Sequence, residues 1–362
     1  MRFHRQKQTA GDGDNFQAGR DVNVYVAGVT VEQANEIFDS RIEMLRRELT
    51  SQADSVVNER MDLLQKATFE AFNTPELLSV FANPDFQFNI LEAQRSAARS
   101  GEPEDIGLIV DILVQRATSD ETPRLRVATR KALDVAGLLS PRSLAGLTAV
   151  WYMVALVPAV SDIDSLLAQL DGHLAPLIDE LPSDERWLND LDLLDCLSVA
   201  TGGLGSLMTV PQLIGKRMVP VFICAGFSGS FDTKKILRES DPRLEELVVP
   251  HPLESSLLVL AGRDEKNIRE LATQFCGGFL SSEAELALTA VIAELGINER
   301  QLPDWENKLN REIEKYPSLR AVRDWMSGFP PLTVTSVGVV VGYANMKRVL
   351  PAVTLPRLDS IL

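Results

Sequence analysis

The chain has 362 residues, 45% hydrophobic and 24% charged, with a formal net charge of −15. That balance belongs to an ordinary globular protein with room for two or three cores, and it excludes a disordered chain. A surface this acidic repels phosphate backbones, so nucleic acid is disfavoured as a partner. Met1 to Ala10 is polar and lacks the apolar centre of a secretory signal. No apolar run has the length to span a bilayer. The three cysteines, Cys196, Cys224 and Cys276, are widely spaced and odd in number. They speak against a disulfide framework and for a reducing, cytoplasmic setting.

The first residues form a basic tip, with Arg2, Arg5 and Lys7 around His4. These cations are candidate contacts for an anionic lipid surface, each worth on the order of 1 kcal/mol. Gly11 to Asp14 reads as a turn. From Asn15 to Val26 the pattern is that of a short strand: Val22, Val24 and Val26 alternate with Asn23 and Tyr25. Residues 1–29 therefore form one unit, the basic tip plus a β segment. Thr30 then caps a helix, with Gln33 at the capping-box position. Phe38, Ile42, Leu45, Leu49, Val56 and Leu63 recur at steps of three and four or their sums, and no Gly or Pro lies between Thr30 and Asn73. The spacing predicts one long, coiled-coil-like helix over 30–73. Its narrow seam would serve a coiled coil or a hairpin arm, or lie along the chain's own domain.

Residues 74–181 read as a helical domain. Thr74-Pro75, Asn83-Pro84 and Ser140-Pro141 are helix starts, with proline in the first turn. One helix ends at Gly137. From 182 to 362 the signals are those of a mainly helical domain with minor β structure. Trp187 to Ala200 is helical in pattern, and Val219 to Cys224 reads as a buried strand. Asp264 caps one helix, and Ser282 with Glu285 forms a capping box for another that stops at Gly296. Leu332 to Leu350 reads as a short strand followed by a helix. The fold class is thus mainly α.

The segment Phe16-Gln17-Ala18-Gly19-Arg20-Asp21-Val22-Asn23-Val24 carries the strongest functional signal. Gln and Asn can form hydrogen-bonded ladders between stacked chains, Gly19 permits a tight arch, and Val22 and Val24 pack a dry face. This core resembles the amyloid signalling motifs of bacterial immune-type proteins, which are similar to the RHIM of animal necroptosis adaptors. Ala18 stands where the RHIM core has a larger aliphatic residue. A true amyloid, a closed β-tip shared by an oligomer, and a hairpin docked on its own domain all fit the pattern. Further along, Asn83-Pro84-Asp85-Phe86-Gln87, Leu91-Glu92-Ala93-Gln94 and Ile109-Val110-Asp111-Ile112-Leu113-Val114 resemble a family of uncharacterised bacterial proteins carrying the same N-terminal segment. The resemblance implies a bacterial cytosolic origin. It carries over no catalytic residue.

Enzyme chemistry finds little purchase. His4, His173 and His251 lack the spacing of a zinc site. Asp190, Asp192 and Asp195 read as a solvated face. Gly202 to Gly205 lacks the Lys-Ser/Thr of a phosphate loop, and Gly226 to Ser230 lacks the second glycine of a nucleophile turn. Cys224 reads as a core residue, and His251, between two prolines, as a loop residue. Gly338-x-x-x-Gly342 reads as close packing of two helices of a soluble protein. No catalytic residue, metal or cofactor is expected. The expectation is a non-catalytic, self-assembling sensor or adaptor of bacterial (anti-phage) immunity, a homo-oligomer that recruits a second, effector protein. Phe16, Gln17, Gly19, Val22, Val24, Phe38, Ile42, Leu45 and Leu49 would mediate the assembly. A membrane- or vesicle-associated defence factor and an enzyme with an unrecognised site are the alternatives.

Overall fold

The computed structural model describes residues 30–46, 54–100, 103–120, 122–155, 162–200, 206–228, 232–297 and 299–362. The β segment and the basic tip, with Phe16, Gln17, Gly19, Val22, Val24, Arg2, Arg5 and Lys7, lie outside the described residues, as does Leu49. The described chain is mainly helical.

Helix α1 (Val31–Arg46) starts where its capping box dictates. The Thr30 N–H donates to Gln33 Oε1 at 3.0 Å, and the Gln33 N–H donates to Thr30 Oγ1 at 3.2 Å. Helix α2 (Asp54–Ala71) is not its straight continuation. Gln65 Nε2 donates to Asn35 Oδ1 at 3.1 Å. In one unbroken helix these residues would stand roughly 45 Å apart at ~1.5 Å per residue. The single helix expected over 30–73 is therefore an antiparallel hairpin, the arm-like form that the same seam allows.

The α1 part of the seam faces inward. Phe38, Ile42 and Leu45 are buried in the chain's own core, whereas Val56 and Leu63 are 47% and 41% exposed. Buried side chains are not free to bind another copy, which corrects the expectation that Phe38, Ile42 and Leu45 form an assembly surface. Phe38 meets Phe69 at 6.1 Å between ring centroids, Phe69 meets Phe81 at 6.0 Å, and Phe81 meets Phe86 at 5.4 Å. This chain of rings locks the hairpin onto the helices C-terminal to it.

Next come α3 (Pro75–Ser79), α4 (Pro84–Arg99), α5 (Pro103–Thr118), α6 (Pro123–Ala136) and α7 (Pro141–Ala155). Each opens on a proline, whose missing N–H is no loss in the first turn. Asn83 Oδ1 accepts from the Asp85 N–H at 2.9 Å, and Thr122 Oγ1 from the Leu125 N–H at 3.1 Å. Then follow α8 (Ile163–Leu174), α9 (Arg186–Leu193) and strand β1 (Leu197–Val199). The helix expected over Trp187–Ala200 thus stops early, and its end is a strand. Asp190, Asp192 and Asp195 are exposed, as a solvated face requires.

The remaining elements are α10 (Val210–Leu213), β2 (Phe227–Ser228), α11 (Asp232–Ser240), β3 (Val248–His251), β4 (Glu254–Leu260), α12 (Glu265–Phe275), α13 (Ser282–Leu295), α14 (Trp305–Ile313), α15 (Pro317–Trp325), β5 (Leu332–Val334), α16 (Ser336–Val349) and α17 (Leu358–Ile361). Strands β2, β4 and β3 form an antiparallel sheet in that order, and β1 pairs with β5. Val219 to Cys224 is not a strand. Pro220–Ile223 is a 3-10 turn, with Pro220 at its first position, although its side chains are buried as expected. The cap of α13 is Ser281 rather than Ser282: its hydroxyl accepts from the Ala284 N–H at 3.1 Å.

Helix α16 decides the architecture. Residues 337–346 are all buried, so the helix has no solvent face over that stretch. It packs against α5, α6 and α7. A Cβ on Gly338 would overlap the Cys196 carbonyl oxygen, and one on Gly342 would stand 3.1 Å from Trp151 Cβ. Gly342 therefore serves the close packing of two helices, α16 on α7, as expected, whereas Gly338 makes room for the backbone that leads into β1. Helix α16, from the far side of the expected boundary near residue 182, thus packs on three helices of the 74–181 array. Asp171 on α8 ties α15 in as well: its Oδ1 accepts from the Ser318 and Leu319 N–H groups at 2.7 and 3.0 Å.

Candidate binding groove

A cleft of about 610 Å³ opens between α10 and the α14–α15 pair. Its first wall is set by a capping box. The Thr209 N–H donates to Gln212 Oε1 at 3.1 Å, and Gln212 Nε2 donates to both Glu306 oxygens at 3.2 and 3.1 Å. Behind this wall, just past α10, Gly215 lies against Trp305, where a Cβ would stand 2.5 Å from the ring. That close approach fixes the distance between α10 and α14.

Glu306, Asn310 and Glu314 follow at steps of four, so α14 and the turn after it present them on one face. Arg323, on α15, lies across from them with a side chain 17% exposed. It stands 2.7 Å from Glu314 and 2.7 Å from Asp324. Arg320 approaches Glu314 to 3.7 Å but does not line the cleft. Leu207, Val210, Pro211 and Met326 add apolar surface. The carboxylates of Glu306, Glu314 and Asp324 thus outnumber the one lining guanidinium. Such a lining favours a cation on a hydrocarbon stem. Its residues lie far apart in sequence, and only the steps of four along α14 could have been read in advance.

The residues that sequence reasoning weighed for catalysis are engaged elsewhere. His251 is not a loop residue: it ends β3 and is 2% exposed. Its Nδ1 accepts from the Leu253 N–H at 3.0 Å, which makes Nε2 the protonated nitrogen, donating to the Cys224 carbonyl at 3.0 Å. Burial lowers its pKa. The Cys224 thiol donates to the Val221 carbonyl at 2.9 Å, and burial raises its pKa. Histidine and cysteine therefore meet through a backbone carbonyl, not through the thiol. Burial pushes the Cys196 thiol up to about 12, helped by the Asp195 carboxylate. The Cys276 thiol is also raised, by burial first and then by its hydrogen bond to Asp241. His173 Nδ1 is bonded to the Tyr152 hydroxyl at 2.5 Å. Among the described residues, no group of three or more His, Cys, Asp or Glu is placed to hold a metal ion, and no helix is long and apolar enough to cross a membrane.

A protein-family model whose description reads “:-like” matches residues 28–357. The chain belongs to that family. The description names no activity, and the matched span begins just beyond the strand-patterned residues 15–26. No curated protein and no solved structure matches the chain.

Proposed function

We propose that the protein is a non-catalytic, self-assembling sensor or adaptor of bacterial (anti-phage) immunity. Residues 15–26 would join copies, and the helical body would recruit an effector protein in the cytoplasm. The observation that carries this reading is the placement of the strand-patterned segment. Only residues 27–29 separate it from Thr30, whose capping box opens a helix anchored in the core by Ala34 and Phe38. A short tether to an anchored helix suits a segment that must meet copies of itself, because unpaired strands seek partners. The engagement of Cys224 and His251 in structural hydrogen bonds is in keeping with a non-catalytic body.

Sedimentation velocity of the full chain against a deletion of residues 11–26 tests the reading. The full chain should form large or discrete higher-order species, and the deletion should sediment as a folded monomer. Identical profiles would count against assembly through this segment.

A further inference from the structure

The groove between α10 and α14–α15 has the size and lining of a site for an extended ligand rather than of packing left incomplete. Its volume of about 610 Å³ lies in the usual range for bound organic groups. The charge of Arg323 is already matched by Glu314 and Asp324. Glu306 is held in place by one neutral donor, Gln212 Nε2, and makes no ion pair among the described residues. The Asn310 amide, partly exposed in the same cleft, makes no side-chain hydrogen bond among the described residues. A guanidinium or ammonium would find the Glu306 carboxylate to pair with, and its methylene stem would lie on Leu207, Val210 and Met326.

We propose that this groove binds the chain's own basic tip, Met1-Arg2-Phe3-His4-Arg5-Gln6-Lys7, from the same molecule or from a neighbouring copy. The tip carries Arg2, Arg5 and Lys7 and no acidic residue, in a chain of net charge −15. Phe3 adds an aromatic side chain suited to the apolar floor. Chain length permits the contact. Between Lys7 and Thr30 an extended chain reaches roughly 75 Å at ~3.3 Å per residue. A compact body of this length has a radius of gyration of about 20 Å. The tether raises the local concentration of the tip to about the millimolar range, so modest affinity suffices. The proposal stands whether or not residues 15–26 assemble, since it needs only the tip and the groove.

The test is fluorescence anisotropy of a labelled Met1–Ala10 peptide with the full chain. In an Arg2→Ala, Arg5→Ala, Lys7→Ala chain the groove is vacant and should bind the peptide. The unaltered chain, whose own tip competes, should bind it on the order of tenfold more weakly. Adding Ser327→Arg to the triple variant places a fixed cation in the cleft at an exposed position. It should reduce binding on the order of tenfold with the melting temperature unchanged. Asn310→Lys serves the same purpose if Ser327→Arg does not fold. Equal peptide binding by the triple variant and the unaltered chain would overturn the proposal. So would binding indifferent to both cleft substitutions, which would mark adsorption to an acidic surface. Complete displacement of the peptide by an equal concentration of free arginine would also overturn it, in favour of a small-molecule cation site.

Discussion

His251 is held neutral chiefly by burial, and the hydrogen bond its Nδ1 accepts from the Leu253 N–H needs the neutral ring, while the bond from Nε2 to the Cys224 carbonyl pulls the other way. Its folded pKa lies below the ordinary 6.5, so the unfolded chain binds its proton more readily. The stabilisation is present above 6.5 and is lost as pH falls through the folded pKa. Urea denaturation should therefore show the chain losing stability on acidification below 6.5, and a His251→Asn variant should lose less over the same range. Parallel pH profiles would contradict this account. Asp111 has the opposite sign. Burial pushes its carboxyl up from 3.8 to about 6, against the pull of Arg348. Its contribution is present below 3.8 and is lost as pH rises through about 6. Asp111→Asn should accordingly gain on the unaltered chain as pH rises across that window. A gap that stays constant or closes would show that Asp111 is not the group responsible. His251 had no sequence signal of burial, because flanking prolines suggest a turn whether the residue between them points in or out.

The helices differ in how much of their placement can be read from sequence. Starts at Thr30, Asn83 and Asp264 were legible because a side-chain acceptor before a helical pattern satisfies local N–H groups. The hairpin of α1 and α2 was not: no Gly or Pro marks the reversal, and the buried face of α2 runs through Val57, Met61 and Leu64, one place on from Val56 and Leu63. Burial now sorts the seam residues. Leu45→Asp would place a carboxylate in the core and should cost several kcal/mol, whereas Val56→Asp and Leu63→Asp should stay within about 0.5 kcal/mol. Thermal melting with light scattering checks both. If Leu45→Asp remained fully stable and only lost oligomeric mass, the seam would face another chain. Gly338, against the Cys196 carbonyl, and Gly342, where α16 meets α7, show the same logic. Gly338→Ala meets a backbone carbonyl that cannot move without opening the β1–β5 pair, and should cost upward of about 3 kcal/mol. Gly342→Ala meets a side chain at 3.1 Å and should cost less, about 1–2 kcal/mol. Equal losses in urea denaturation would show that the two contacts are equally able to give.

At the scale of the molecule, the mainly helical class was legible in composition and period, and the packing of α16 on α5, α6 and α7 was not. A helix buried on all sides, as α16 is over residues 337–346, shows an apolar run but not which helices surround it. The groove escaped notice for a related reason, because Thr209, Glu306 and Asp324 meet only after α10, α14 and α15 have packed. What the sequence does show is the short pattern at residues 15–26, and on it the reading as an assembling adaptor rests. The most direct measurement compares the unaltered chain with Gln17→Ala and Gly19→Val by light scattering and thermal melting side by side. Gln17→Ala deletes the amide ladder, and Gly19→Val puts a β-branched side chain where an arch is needed. The account predicts that both variants lose assembly while their melting temperatures match the unaltered chain, because on this reading the segment joins copies and adds nothing to the helical body. Assembly identical to that of the unaltered chain in both variants would contradict it.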